Sequence, residues 1–202
     1  MAEYGLALVL MVRKHISRAV SQQQQRVWKR YPPHTVRGST LGILGLGHIG
    51  AALARVASFM GMRVIGTQRT PKPVEHVEKV YPADGTLEVA AQSDVLMCIL
   101  PWTPDTHSLI DETVIRAMKP GSAVINMGRG GIVDESALVR ALEDRHLSGA
   151  ALDVMEQEPL PEDSPLWHAP NLVLTPHIAG VFPEYMEELA KFFAANVARV
   201  EA

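Results

Sequence analysis

Short apolar runs alternate with longer amphipathic segments along most of the chain. Continuous apolar runs predict strands at 41–46, 63–67, 94–100, 123–127, 149–154 and 171–174, with a weaker strand near Val80. Apolar residues at helical spacing predict helices at 49–60, 87–92, 111–118, 135–144 and 183–200. Strands that are apolar on both faces and alternate with helices are typical of a parallel sheet covered on both sides. The pattern therefore predicts an α/β fold, a Rossmann-type doubly wound parallel sheet.

The N-terminal segment follows a different pattern. Residues 2–20 predict one helix, and its first half is apolar on nearly all sides, which implies burial on more than one face. Residues 21–30 are polar, and they fit either a helix or an extended arm. The run Tyr31-Pro32-Pro33 then interrupts regular structure.

Composition narrows the classes of protein that this chain can represent. It is 47% hydrophobic and 20% charged with a formal charge of −3, so no nucleic-acid partner is expected. The longest apolar run, Leu6–Val12, is much shorter than the roughly 20 residues that span a bilayer, so no membrane partner is expected either. Cys98 is the only cysteine, which fits a reducing cytoplasm, and the histidines show no metal-ligand spacing.

A glycine-rich turn, Gly45-Leu46-Gly47-His48-Ile49-Gly50, follows a predicted strand and opens a predicted helix. Gly45 permits the tight turn, Gly47 leaves room for a pyrophosphate, and Gly50 lets helix and strand pack closely. The first N–H groups of the helix, around His48 and Ile49, attract phosphates. A glycine-rich turn without a ligand is the alternative interpretation, and the strand-and-helix context favours a dinucleotide.

The end of the second predicted strand lacks a carboxylate. An Asp or Glu usually stands there and binds the ribose hydroxyls of NAD, whereas an Arg accommodates the 2′-phosphate of NADP. This chain has Gln68-Arg69-Thr70 at the turn, followed by Lys72. Arg69 can face a 2′-phosphate with help from Thr70 or Lys72, or it can be a solvated loop residue. The expected cofactor is therefore NADP or NAD.

Three side chains form a candidate catalytic group. Arg129 follows a strand at its carboxyl end, where it can hold a carboxylate by two parallel hydrogen bonds. Glu158 precedes Pro159, and His177 follows another short strand. A carboxylate beside a histidine favours its cationic form, which suits a proton donor. From spacing alone, a structural role for each residue remains open.

Several motifs together resemble the D-isomer-specific 2-hydroxyacid dehydrogenases. The resemblance rests on the glycine turn and on further stretches in the order of the family, which are 100–101, 126–130, 151–159, 164–167 and 175–180. It implies that Arg129 binds the substrate, that His177 is the general acid/base and that Glu158 pairs with it. It also implies cofactor contacts at further positions, namely Leu100, Pro101, Thr106, Met127, Arg129, Asp153 and His177.

The family resemblance implies hydride transfer between a nicotinamide dinucleotide and a small 2-keto or D-2-hydroxy acid. Glyoxylate or hydroxypyruvate with NADPH is our expectation, on the basis of Gln68 and Arg69. Two alternatives stay open: a dinucleotide-binding module without catalysis, and a redox-sensing partner protein on the same fold. Gln68 stands where the family commonly has Asp, which puts simple NAD specificity in doubt.

The resemblance also predicts how the chain is divided. We expect a dimerisation or interdomain helix and arm at 1–30, a dinucleotide-binding domain at 31–182, and at 183–202 a helix that returns to a substrate domain. Family members carry a long segment before the helix that starts here. We therefore expect that this chain binds cofactor, forms a homodimer in the cytoplasm, and turns over 2-keto acids poorly on its own.

Overall fold

A computed structural model describes residues 1–200 of the chain. Its helices are α1 (Ala2–Lys14), α2 (Ile16–Gln24), α3 (His48–Phe59), α4 (Thr86–Gln92), α5 (Glu112–Ala117), α6 (Glu135–Glu143) and α7 (Tyr185–Val200). Its strands are β1 (Thr40–Leu44), β2 (Arg63–Thr67), β3 (Lys79–Tyr81), β4 (Val95–Cys98), β5 (Ser122–Asn126), β6 (Leu147–Leu152) and β7 (Leu172–Leu174). Short 3-10 helices lie at Pro104–Thr106 and Pro165–His168.

The strands form one parallel sheet in the order β3-β2-β1-β4-β5-β6-β7. The chain winds outward in one direction from β1 to β3 and then in the other from β4 to β7. The neighbours β1 and β4 therefore mark the switch point, where ligands bind in such sheets. This arrangement confirms the predicted Rossmann-type fold, including the weak strand near Val80.

Helices cover both faces of the sheet. Neighbouring residues of β5 point to opposite sides, so that Val124 joins one hydrophobic cluster and Ile125 the other. The Val124 cluster includes apolar residues of α4, α5 and α6, and the Ile125 cluster includes those of α1 and α3. Because both faces are buried, the strands can be apolar throughout, which explains the continuous apolar runs of the sequence.

The single helix predicted at 2–20 is wrong, because the chain bends at His15. His15 takes a left-handed conformation with φ of 51°, and its N–H closes the last turn of α1. The Tyr31 hydroxyl donates to the His15 carbonyl over 2.9 Å, which holds the bend. Helix α1 packs in the sheet core through Leu8, Val9 and Val12, whereas α2 has no buried residue. The helical part of the polar segment ends at Gln24.

The sequence of α7 places apolar residues at helical spacing and so predicts an apolar stripe, namely Tyr185, Met186, Leu189, Phe192, Phe193, Val197 and Val200. The described side chains of this stripe are exposed. Met186, Phe192 and Phe193 are 71%, 67% and 69% exposed. The side chain of Val200, which belongs to the same predicted stripe, and residues 201–202 of the predicted last region lie outside the described residues. Within residues 1–200, no helix combines the length and the hydrophobicity that a membrane span requires.

Candidate active site at the carboxyl edge of the sheet

The glycine turn between β1 and α3 depends on missing side chains. Gly45 has a φ of 106°, which favours glycine, and a Cβ there would lie 3.0 Å from the Ile99 carbonyl oxygen. A Cβ at Gly50 would overlap with the Gly45 carbonyl oxygen, so Gly50 lets the helix approach the turn. A Cβ at Gly47 would meet nothing within 4 Å. The space beside Gly47 is therefore open to a ligand.

A groove of about 510 Å³ runs along this turn. Gly47 caps α3 without a side-chain hydrogen bond, and the first turn of the helix has no acidic residue. The free N–H groups and the positive end of the helix dipole thus face an open cradle that suits the phosphates of a dinucleotide. The predicted cofactor residues that line the groove are Gly45, Gly47, Gln68, Arg69, Thr70, Leu100, Pro101 and Thr106.

The first turn of α3 holds the other predicted phosphate-site residues. His48 and Ile49 begin the helix and offer their backbone N–H groups, whereas Gly50 packs behind the turn; the side chains of His48 and Ile49 are not part of the groove lining. Thr106 lines the groove, but its hydroxyl donates to the Pro101 carbonyl over 2.9 Å. Its structural role is to hold the loop that follows β4.

Gln68 is turned toward the protein rather than toward open solvent. Its Nε2 donates to the Leu46 carbonyl over 2.6 Å, and its Oε1 accepts from the Lys72 N–H over 3.2 Å. Arg69 and Thr70 are exposed beside it and line the same groove. Arg69 and Thr70 are therefore free to meet the ribose end of a dinucleotide, and Lys72 is exposed on the same segment.

Arg129 and His177 lie just beyond the carboxyl ends of β5 and β7, and we call this region the catalytic edge. Asn126, Leu152 and Leu174 pair side by side in β5, β6 and β7. Arg129 follows Asn126 by three residues, and His177 follows Leu174 by three. The two predicted catalytic side chains therefore emerge from equivalent positions on strands that flank β6.

Asn126 holds the loop that carries Arg129. Its Nδ2 donates to the Arg129 carbonyl over 2.9 Å, and its Oδ1 accepts from the Gly128 N–H over 3.0 Å. The Arg129 guanidinium donates to the Gly128 carbonyl over 2.7 Å and is otherwise exposed. The loop is thus fixed from within, and the remaining N–H groups of the guanidinium can bind a carboxylate.

Asp153 holds the turn that carries His177. Its Oδ1 accepts from the Thr175 hydroxyl over 2.6 Å and from the Ile178 N–H over 3.0 Å, and its Oδ2 accepts from the Ala179 N–H over 2.9 Å. The His177 N–H donates to the Asp153 carbonyl over 2.8 Å. These bonds surround a left-handed His177, whose φ is 55°. Backbone conformations of this kind are costly and cluster at functional sites.

Glu158 and His177 form a close pair. The His177 Nδ1 lies 2.7 Å from the Glu158 Oε2, and the Met155 N–H donates to the other carboxylate oxygen over 3.0 Å. Burial is the largest single influence on the Glu158 pKa and raises it, but the hydrogen bonds from His177 and Met155, together with the electrostatic attraction of His177 and Arg129, outweigh burial and lower the pKa below its usual value. The carboxylate is therefore ionised near neutral pH.

Arg129 and His177 face the same cavity, which measures about 400 Å³. Met127 and Asp153 also line it, so these predicted residues meet here rather than in the groove. Met127 and Asp153 are almost fully buried, at 2% and 1% exposed, and the Asp153 carboxylate already accepts three hydrogen bonds. A contact from Asp153 to a nicotinamide, which the resemblance implies, would have to share this carboxylate.

The sequence prediction missed three side chains that position this site. Thr67 accepts from the Gly45 N–H over 3.3 Å at the glycine turn. Asn126 and Thr175 hold the Arg129 loop and the Asp153 carboxylate. All three are polar residues at or next to the carboxyl end of a strand, and that signal could have identified them.

The described residues give little support to a metal site or to a cysteine nucleophile. No group of three or more His, Cys, Asp or Glu residues suited to a metal ion occurs in the described part of the chain. Burial raises the pKa of the Cys98 thiol to about 12, although a hydrogen bond from the Leu100 backbone opposes the rise. The thiol therefore stays protonated and is a poor nucleophile.

Comparison with known proteins places this site in a family. Residues 6–179 match the D-isomer specific 2-hydroxyacid dehydrogenase, NAD binding domain. The chain is 39% identical to a (S)-sulfolactate dehydrogenase from Chromohalobacter salexigens, over 98% of this chain and 65% of the relative. It is 33% identical to a glyoxylate/hydroxypyruvate reductase A from Serratia proteamaculans, over 100% of this chain and 64% of the relative.

A solved structure supports the same assignment. A D-isomer specific 2-hydroxyacid dehydrogenase from Xanthobacter autotrophicus, in complex with NADPH and MES, superposes with a TM-score of 0.89 at 35% identity. The match covers 99% of this chain and 82% of that one. The chain spans 65% and 64% of the two curated relatives. It belongs to the D-isomer specific 2-hydroxyacid dehydrogenase family, and it matches the NAD-binding domain of that family.

Proposed function

We propose that this chain carries the cofactor site and the catalytic groups of an NADP-dependent enzyme that interconverts a small 2-keto acid and a D-2-hydroxy acid. The observation that carries the proposal is the shared cavity of Arg129 and His177, with Glu158 2.7 Å from the His177 Nδ1. A guanidinium and a proton donor on one cavity suit an α-keto acid, which offers a carboxylate and an adjacent carbonyl oxygen.

Each catalytic group has one task in the reduction. A bound nicotinamide dinucleotide supplies the hydride that C2 of the keto acid receives. Arg129 binds the carboxylate and stabilises the negative charge that develops on the carbonyl oxygen. Glu158 engages the His177 Nδ1 and fixes the ring, so that Nε2 is the nitrogen available to protonate this oxygen. In the oxidative direction the same nitrogen accepts the hydroxyl proton.

The complete catalytic group favours an enzyme over a binding module or a redox sensor. Binding of a dinucleotide requires the glycine turn and the groove, but it does not require an ionised Glu158 beside a left-handed His177. A carboxylate that pairs with the histidine beside Arg129 suits proton transfer at a substrate oxygen, and dinucleotide binding alone does not need it.

NADP is the proposed cofactor because Arg69 lines the groove and the turn from Gln68 to Lys72 carries no carboxylate. The Xanthobacter structure holds NADPH, which supports the same choice. Titration of the chain with NADPH and NADH, before and after Arg69→Ala, tests the proposal. We expect NADPH to bind at least as tightly as NADH. A clear NADH preference that Arg69→Ala leaves unchanged would contradict it.

Glyoxylate and hydroxypyruvate are the proposed substrates, and the name of the Serratia relative supports them. NADPH oxidation should be measured with both acids and with 3-sulfopyruvate, the keto acid that corresponds to sulfolactate. The assay should compare the 202-residue chain with the same chain joined to the part of the Serratia relative that the match leaves uncovered. We expect the joined protein to be at least about 100-fold faster, because a second domain is needed to position the keto acid against the cofactor and to exclude water from the site. Equal rates would contradict this expectation.

Assembly and location complete the proposal. We expect a homodimer through α2 and the arm that follows, because Ile16, Val20, Val27 and Trp28 are 42%, 46%, 46% and 94% exposed. We expect a cytoplasmic location, in keeping with a single buried cysteine. We expect the exposed stripe of α7 to pack against a substrate domain. Light scattering at micromolar concentration tests the dimer, and a monomer would contradict it.

A further inference from the structure

The side chain of Gln68 joins two segments that are distant in sequence. Its Nε2 donates to Leu46 in the glycine turn over 2.6 Å, and its Oε1 accepts from Lys72 over 3.2 Å. The backbone N–H of Gln68 donates to the Tyr81 carbonyl of β3 over 2.9 Å. Gln68 therefore fixes three parts of the groove relative to one another. These are the glycine turn at the phosphate edge, the segment of Lys72 at the ribose edge, and the end of β2.

A carboxylate cannot replace this amide. An amide carries a donor and an acceptor, whereas an ionised carboxylate only accepts hydrogen bonds. Glu at this position would place an oxygen against the Leu46 carbonyl oxygen, which now accepts a bond of 2.6 Å. The acid that usually contacts the ribose hydroxyls therefore cannot be introduced at this position without loosening the glycine turn.

Two cations stand on the segment that Gln68 holds. Arg69 and Lys72 are exposed, and among residues 1–200 neither side chain has an ion-pair partner within 4.0 Å. Lys72 lies between Pro71 and Pro73, whose rings restrict the backbone on both sides. A fixed segment with two free cations suits a dianionic phosphate, because less side-chain and loop freedom is lost on binding.

We propose that Gln68 is a positioning residue that makes the groove selective for a 2′-phosphorylated dinucleotide. It acts on the 2′-phosphate through Arg69 and Lys72, by holding their segment against the glycine turn, and not through a bond of its own to that phosphate. The inference rests on the proposed NADP assignment and adds the residue that enforces it.

Two nucleotide fragments test the inference without catalysis. The Kd of AMP divided by the Kd of adenosine 2′,5′-bisphosphate, measured by calorimetry on the 202-residue chain, isolates the gain from the 2′-phosphate. We expect a ratio of about 10 to 100 for the unaltered chain, as for hydrogen bonds to a charged group. Gln68→Met keeps the length and removes both bonds, and it should lower the ratio at least about fivefold. Gln23→Met, on the exposed face of α2, should leave the ratio unchanged.

A double-variant cycle separates positioning from direct contact. In Arg69→Ala, which removes one of the two cations, Gln68→Met should lower the ratio by a clearly smaller factor, because less of the selectivity depends on the position of the segment. Equal fold losses with and without Arg69, or an unchanged ratio in Gln68→Met, would overturn the inference. If Gln68→Met lowers the melting temperature, Gln68→Asn, one methylene shorter, replaces it with the same expectations. A ratio of one in the unaltered chain would overturn the NADP assignment, and the inference with it.

Discussion

The two ends of the candidate site are built on opposite principles. At the glycine turn, recognition depends on atoms that are absent: a Cβ at Gly50 would overlap with a backbone oxygen, and the space beside Gly47 is empty. At the catalytic edge it depends on side chains that are present, since Asp153 holds the His177 turn by three hydrogen bonds. The first end should therefore fail when atoms are added, and the second when atoms are removed.

Removal of the proposed proton donor gives the largest expected effect. His177→Gln should lower kcat by about 10² to 10⁴, the usual contribution of general acid–base catalysis. The Kd of NADPH should change little, because the groove is built elsewhere. The measurement is steady-state NADPH oxidation in the joined protein, with His168→Gln, at an exposed position of the second 3-10 helix, as the control. A retained kcat would remove His177 from the reaction.

Addition of one methyl group at the glycine turn sharpens the contrast. Gly50→Ala forces a Cβ against backbone and should lower the free energy of unfolding by about 1–3 kcal/mol. Gly47→Ala meets open space, so its unfolding free energy should stay within about 0.5 kcal/mol while NADPH affinity falls. Denaturant titration and cofactor binding measure the two quantities. Equal losses of stability in both variants would contradict the proposed division of roles.

Removal of one acceptor at the catalytic edge should have a smaller effect. Asp153→Asn keeps the shape of the side chain but turns one acceptor oxygen into a donor that faces an N–H or hydroxyl group. We expect a loss of about 1–2 kcal/mol in unfolding free energy and a lower kcat, because the His177 turn loosens. Asp163→Asn, at an exposed position, is the control. An unchanged kcat would show that the turn holds His177 without this carboxylate.

The Glu158–His177 pair predicts the smallest effect, and it depends on pH. The folded-state pKa of Glu158 lies below 4.5, the value for an unperturbed glutamate, so the pair adds stability above pH 4.5 and loses it as the pH falls through the lowered value. Because the pair is partly exposed, at most about 1 kcal/mol is expected. Denaturant titrations of the unaltered chain and Glu158→Gln should differ above pH 4.5 and converge below it. A difference that grows toward acid pH would contradict the assignment.

The sequence predicted those features of the fold that depend on local patterns of residues. Apolar runs and turn residues identified all seven strands and the glycine turn, because each depends on residues that are neighbours in the chain. The exact strand limits depended on pairing instead: β6 begins at Leu147 because Leu147 pairs with Ser122, whereas the sequence placed the start at 149. The bend at His15 could not be predicted, since neither glycine nor proline marks it.

The directions in which polar side chains point could not be predicted from the sequence either. Gln68 was predicted to contact the cofactor from its place after β2, and it lines the groove while its amide is engaged by Leu46 and Lys72. Asp153 was predicted to touch the nicotinamide, and its carboxylate is engaged by Thr175, Ile178 and Ala179. In both cases the partners come from other parts of the chain, so the direction of the side chain follows from the tertiary structure alone.

The row of Asn126, Leu152 and Leu174 gives the loops of the catalytic edge a common starting level. Arg129 and His177 each follow this row by three residues, so each side chain is reached through the same number of loop residues. Insertion or deletion of a single residue after β5 or β7 would displace Arg129 or His177 by more than the hydrogen bonds that hold its loop can absorb, since these tolerate only a few tenths of an ångström. The sequence of the Arg129 loop is constrained as well, because a Cβ at Gly128 or Gly130 would overlap with a backbone oxygen.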